Sequence, residues 1–355
     1  MPRTVSKGSA SIGRTLRASR TWAGASLLLA CALAFAACDH ATDGIDGPFL
    51  VDRFGDFTLI EPLVASQATV DFAGGETVTF EATFNKQSTW TIVIVGQESG
   101  AVKRIEGFSR EISDQNAVWD GGTTDLPFFR TEAVEATLLI DGAVLAESPP
   151  TAVEVTTPRV YPGNVVTGFE ADDNANVVLG NFEFEFDLMA TGPSMEIPAA
   201  EGELFYLLRS TGGPTVADPF FIGLTSIFPG AKGPTYFPVP TSIPEDLFFN
   251  AALYSFGTPN TIAVIQVGVD SNGNGVYNDG IDAVVSIIDQ PVDWEGWRLF
   301  SIPFSDTIFT QEQLETIVAV RLLLISDNNG QPNPPLPVDY GVDFVTFTQG
   351  GPLEL

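Results

Sequence analysis

The stretch GETVTFEATF, residues 75–84, alternates from its fourth residue: Val78, Phe80, Ala82 and Phe84 fall on one side, Thr79, Glu81 and Thr83 on the other. Successive side chains of a strand point to opposite faces, so this period of two predicts a strand with one buried side. Working outward, the same kind of run recurs in TWTIVIVGQ (89–97) and EAVEATLLIDG (132–142). It is cleanest in GNFEFEFDLMA (180–190), where Phe182, Phe184 and Phe186 oppose Glu183, Glu185 and Asp187. Such runs are separated by turn residues, drawn from 34 Gly and 25 Pro. One helical signal stands out, Thr310 to Leu314, where Thr310 and Gln313 have capping-box spacing. The fold class is therefore all-β, built as two β-sandwich domains.

The two ends of the composition are sharply different. Residues 1–37 hold no acid, carry Arg3, Lys7, Arg14, Arg17 and Arg20, and then run apolar from Trp22 to Ala37. That is the layout of a secretory signal, and the run is shorter than the ~20 apolar residues of a membrane span. The rest of the chain keeps 11 basic residues against 45 acids, a net charge of −34. Such a surface repels nucleic acid and anionic lipid, so no nucleic-acid partner is expected. The two cysteines, Cys31 and Cys38, leave no disulfide framework, so a core must hold the exported part. No G-x-S-x-G, cysteine nucleophile or histidine metal cluster is present, and the one histidine is His40. No enzymatic activity is expected.

One loop asks for a ligand. DSNGNGVYNDGID, residues 270–282, lies between the strand-like runs TIAVIQVGV and IDAVVSII. Asp270, Asn272, Asn274 and the Val276 carbonyl occupy the first four ligand positions of a calcium loop, with Gly275 at its sharp turn. The twelfth position is Ile281, so Asp279 or Asp282 would have to supply the last carboxylate. An Asn/Gly hairpin tip uses the same residue types. Repulsion among three carboxylates tilts the reading to a structural calcium. Sugars stack on exposed aromatics, which makes Trp294, Tyr236, Tyr254, Tyr277 and Tyr340 candidates. Trp294 and Tyr277 are the favoured pair, with Trp297 in the core.

Three resemblances give these readings a setting. LAFAACDH, with Ala36 and Ala37 before Cys38, resembles the lipobox of bacterial lipoproteins, although Phe35 stands where Leu is usual. It implies lipidation of Cys38 and a membrane partner reached through that lipid, in the envelope at the outer membrane or cell surface. Cleavage after Ala34-Phe35-Ala36 and an uncleaved anchor are the alternatives. AVWDGGTTDLPFF (117–129) followed by EAVEATLLI resembles the W-D-G turn of Ig-like repeats of the flagellar hook-capping type, with Trp119 structural.

The third covers about 190 residues and is similar to the galactose-binding-like jelly roll of non-catalytic carbohydrate-binding modules. It is carried by Gly168-Phe169-Glu170, by Trp297 leading into Ser301-Ile302-Pro303, a helical turn and an aliphatic strand, and by VDFVTF (342–347), where Phe344 replaces a second acid. It implies a glycan partner and a structural calcium between first and last strands, for which Glu170, Asp172 and Asp343 match. The expected organisation is signal peptide 1–37, tether 38–48, Ig-like sandwich 49–158 and jelly roll 159–355. The expected function is an envelope lipoprotein with a carbohydrate-binding-type module, stabilised by calcium. The alternative is a structural or adhesion lipoprotein that contacts protein and binds no sugar.

Overall fold

The runs at 75–84 and 89–97 are one strand. The computed structural model describes residues 57–141, 148–173, 175–179, 189–210, 220–259, 261–327 and 338–355. Cys38, the segments 1–37 and 38–48, and the whole Phe182–Phe186 run lie outside the described residues. The first sheet holds β1 (Leu59–Ala65), β2 (Thr69–Asp71), β3 (Val78–Gly96), β4 (Val102–Ile112), β5 (Val118–Trp119), β6 (Glu132–Ile140) and β7 (Thr151–Thr157). The even positions of β3 stay inward along its length: Val78, Phe80, Ala82 and Phe84, then Trp90, Ile92 and Ile94. An even number of residues between the two runs keeps the parity, so one face stays buried. The strand β3 pairs with β1 and β5 through its first half and with β6 through its second, while β4 follows both halves across a break between Thr83 and Ser88.

All seven strands contribute to one core. Trp119 is fully buried there, edge-on to Phe72 and Phe129, with its indole N–H donating to the Gly122 carbonyl at 2.9 Å. Gly121 takes φ +86°, which a residue with a Cβ resists, so the turn needs its glycine.

The remaining strands form two sheets. They are β8 (Asn164–Thr167), β9 (Ala175–Leu179), β10 (Met189–Ser194), β11 (Phe205–Ser210), β12 (Phe220–Pro229) and β13 (Leu247–Phe256). They continue with β14 (Thr261–Val269), β15 (Ala283–Pro291), β16 (Glu295–Pro303), β17 (Ile317–Asp327) and β18 (Asp339–Gln349). One sheet runs β10-β11-β18-β13-β16 with β8 beside β18; the other runs β15-β14-β17-β12-β9. Between them lie Phe249, Leu253, Val342 and Phe347 from the first and Ile265, Val267, Leu322 and Leu324 from the second. Each such side chain contributes about 1.5–3 kcal/mol of burial free energy. Tyr340 spans the layer, its hydroxyl donating to the Leu323 carbonyl at 3.0 Å.

After β16 a 3-10 turn (Phe304–Asp306) leads to a short helix, α1 (Gln311–Leu314). Both halves of its capping box form: Thr310 Oγ1 accepts from the Gln313 amide, and Gln313 Oε1 accepts from the Thr310 amide. A third apolar cluster, Phe128, Phe344 and Leu353 with Tyr161 and Leu299 against it, joins the first sheet to the six-stranded one.

Candidate functional site

The loop 270–282 connects β14 to β15 and is organised around Asp270. One Asp270 carboxylate oxygen accepts from the amides of Asn272, Gly273 and Asn274, and the other from the Gly275 amide and the Tyr236 hydroxyl. Burial alone pushes this carboxyl up. The Gly275 amide, the Tyr236 hydroxyl and the amides of Gly273 and Asn274 outweigh it and hold the group below the usual carboxylate range. Asp282 accepts from the Ser271 and Asn278 amides. Asn272 and Asn274 each use their side-chain oxygen on an amide two residues on and turn their NH2 groups to Asn278 Oδ1. Asp279 accepts from the Tyr277 hydroxyl and lies 3.7 Å from Arg321. The repulsion that argued for a cation is thus met by protein donors. The oxygens have the hard chemistry calcium prefers, yet most already serve the loop itself. Among the described residues no three His, Cys, Asp or Glu side chains are grouped to hold a metal.

Tyr277 leaves this loop and lies across the outward side of the five-stranded sheet. A Cβ built on Gly268 would fall 2.8 Å from its ring, so the glycine is what lets the ring lie on the backbone. Arg321 donates to the Tyr277 hydroxyl at 2.9 Å, with its guanidinium carbon 5.2 Å from the ring centroid. Arg321 is the one charged residue in the run IVAVRLLLIS, and its position is outward because Val320, Leu322 and Leu324 face the core. Register places Ser226 and Gln266 on either side of it, and Ser286 beyond Gln266, making a polar row across four strands. The Gln266 side-chain oxygen is buried with no hydrogen-bond partner. The Tyr277 ring also lines a cleft of about 520 Å³ with Asn176, Phe228, Thr235, Gly275 and Val276. The row was invisible without strand register; the lone Arg321 was the signal that could have found it.

The tryptophans exchange roles. Trp294 is 8% exposed, stacked near Phe300 and under Arg298, with its indole N–H donating to the Gly296 carbonyl. It belongs to the core between the sheets, so the expected platform at Trp294 is corrected. Trp297 is half-buried on the outer side of the six-stranded sheet, edge-on to Phe205 and Tyr254, and bonded to the Pro198 carbonyl. Residues three apart do face opposite ways, as expected. Residues 197–200, ahead of β11, cover one face in part, and the core covers the other. Tyr340 is fully buried and Tyr236 is tied to Asp270.

The grouping of Glu170, Asp172 and Asp343 is also corrected. Asp172 is exposed. Glu170 Oε1 accepts from the amides of Glu203 and Leu204, and the two oxygens of Asp343 from the amides of Glu201 and Phe344. The acid that stands between them is Glu201, raised by burial and by the nearby charges of Glu170 and Asp173. Asp343 is fully buried, and burial pushes its carboxyl well above the usual range against the pull of those amides. Glu201, whose amide donates to Asp343, lies 142 residues before it, a pairing only the fold reveals, and no motif marks it.

No protein-family model matches the chain. No curated protein matches it either. Solved structures to which it is similar include a family 11 carbohydrate-binding module from Clostridium thermocellum in complex with a β-1,3-1,4-mixed-linked tetrasaccharide, at 17% identity and TM-score 0.31, covering 55% of this chain and 99% of that one. A carbohydrate-binding module of the β-sandwich superfamily is similar at 10% identity and TM-score 0.35, covering 82% of this chain and 97% of that one. SGBP-B from a xyloglucan utilization locus in Bacteroides uniformis is similar at 12% identity and TM-score 0.32, covering 81% and 73%. All three likenesses are distant.

Proposed function

We propose that this chain is a non-catalytic glycan-binding protein of a bacterial envelope, held there by a lipid on Cys38. The observation that carries the glycan reading is Tyr277. Its ring is laid on Gly268, pinned at its hydroxyl by Arg321 and Asp279, and set at the wall of the 520 Å³ cleft. A fixed aromatic ring loses little freedom on binding and offers a face to the C–H side of a pyranose. Asn176 and Thr235 line the same cleft and supply hydroxyl partners. Arg321 is 4% exposed and acts by positioning Tyr277.

Calcium enters the proposal as an exchangeable stabiliser of the loop. Its support is the ionised Asp270 and the all-oxygen donors of Asn272, Asn274, the Val276 carbonyl, Asp279 and Asp282. The rival reading, a protein-contacting lipoprotein, draws on Val276 and Ile281, which are 55% and 65% exposed at the loop tip. A glycan array read with and without chelator separates the two. The proposal expects neutral β-glycan spots that dim in a Tyr277→Ala protein and persist at reduced strength in chelator. An array blank for the natural chain removes the glycan reading.

A further inference from the structure

Two Asn-Gly pairs stand in tandem in the loop 270–282, Asn272-Gly273 and Asn274-Gly275. Both asparagines are exposed. The side-chain carbonyl carbon of an asparagine is open to attack by the backbone nitrogen of the next residue, which closes a five-membered imide. A glycine in that next place puts no Cβ in the way, so Asn-Gly closes most readily. This chemistry is what makes asparagine a heat-labile residue. The attacking nitrogen must give up its proton, so whatever holds that N–H controls the step.

One carboxylate holds both attacking amides. The Gly273 amide donates to Asp270 Oδ1 at 2.7 Å and the Gly275 amide to Asp270 Oδ2 at 2.6 Å. A hydrogen bond to one protonation state favours that state, and the carboxylate charge opposes a second negative charge forming on the nitrogen. The side chains under attack are held as well. Asn272 Oδ1 and Asn274 Oδ1 accept from the amides of Asn274 and Val276, and both NH2 groups turn to Asn278 Oδ1. Asn278 itself precedes Asp279, whose side chain crowds the same approach. We infer that Asn272 and Asn274 are paired deamidation sites kept latent by Asp270.

When the loop opens locally, the Gly275 nitrogen loses its proton to solvent and bonds to Asn274 Cγ. The Cγ–Nδ2 bond breaks, and Nδ2 leaves as ammonia with a proton returned from solvent. Water then opens the imide at either carbonyl, giving aspartate or its β-linked isomer. Gly273 and Asn272 react in the same way. Each conversion sets a new carboxylate near Asp270 and weakens the reclosed loop by repulsion. Gly275, Val276 and Tyr277 line the cleft of about 520 Å³, so conversion at Asn274 also alters the proposed glycan wall, a consequence that rests on that reading.

The test incubates the full chain at neutral pH and maps its peptides by mass spectrometry, reading the change from amide to acid at each asparagine. The natural chain is compared with Asp270→Asn, which keeps the side-chain shape and removes its charge, and with the natural chain unfolded in guanidinium. Slow conversion at Asn272 and Asn274 is expected in the folded natural chain. It becomes about tenfold faster in Asp270→Asn, as for the loss of a charge-assisted hydrogen bond, and is fastest in the unfolded chain. Asn278 lags in all three. Hydrogen exchange on the natural chain needs no variant, and it is expected to find the Gly273 and Gly275 amides protected together. Equal or slower conversion in Asp270→Asn, a natural chain that converts as fast folded as unfolded, Asn278 keeping pace with the pair, or unprotected Gly273 and Gly275 amides each overturns the inference. No glycan is present in these maps, so failure here leaves the sheet-face reading standing, and its failure leaves this one standing.

Discussion

Asp270, just past the end of β14, and Asp343, in the middle of β18, are both buried aspartates, 6% and 0% exposed, and their carboxyls shift in opposite directions. Asp270 collects four amides and a tyrosine hydroxyl, and its carboxyl falls below the usual range. Asp343 collects two amides beside a half-buried acid, Glu201, and its carboxyl rises well above it. Burial raises a carboxyl in both places; the number of donors decides the sign. The loop built on Asp270 is therefore settled by its own backbone. The acid group at Asp343 is not, and it sits against the joint between the two sandwiches through Phe344.

The comparison breaks most visibly at Asp270. Replacing it with alanine strips acceptors from Gly273, Gly275 and Tyr236 at once, and a loss of about 3 kcal/mol in urea unfolding is expected. A loss near zero means that the loop is not held by that carboxylate. Next comes Gly268→Ala, which sets a Cβ 2.8 Å from the Tyr277 ring and moves it off the sheet. Glycan affinity is expected to fall about tenfold with stability nearly kept, which calorimetry and a melt read together. Full affinity in this variant dissociates the ring from the binding face.

A smaller effect of opposite sign is expected at Asp343. Its folded carboxyl holds its proton more tightly than the unfolded one, so stability is greatest below the unfolded value of about 3.9 and declines as pH rises toward the raised folded value, then levels. Asp343→Asn removes that decline and gains about 1 kcal/mol at neutral pH. Urea midpoints from pH 3 to pH 8 check it, and parallel curves for both proteins contradict it. Calcium is of similar size: tenfold excess over its dissociation constant is worth about 1.4 kcal/mol, a rise of about 3 °C for a chain of this size. An unchanged melt in calcium and in chelator leaves the loop as a turn alone.

Much of the fold was legible because its signals are local. The parity of Val78 to Phe84 and the capping box at Thr310 depend on neighbours in sequence, and both stand in the structure. The site was legible only in part. Asp270 stood out by spacing and organises the loop, whereas Tyr277, singled out only as an aromatic, leaves the loop for the sheet face. Trp294 and Trp297 could be placed on opposite faces, but which face a later segment covers is a matter of long-range packing, and residues 197–200 cover Trp297 in part while the core takes Trp294. Gln266, Ser226 and Ser286 join Arg321 only through register across four strands. Glu201 replaces Asp172 for the same reason, since its amide reaches Asp343 from 142 residues away.

The central claim is that Tyr277 presents a rigid face to a sugar, and one titration tests it. Calorimetry with a β-glucan tetrasaccharide is run on the natural chain, on Tyr277→Phe and on Tyr277→Ala. The expected series is full affinity, a few-fold loss as the hydroxyl leaves Arg321 and Asp279, and a loss of about tenfold or more when the ring is gone. Equal affinities across the three proteins contradict the claim.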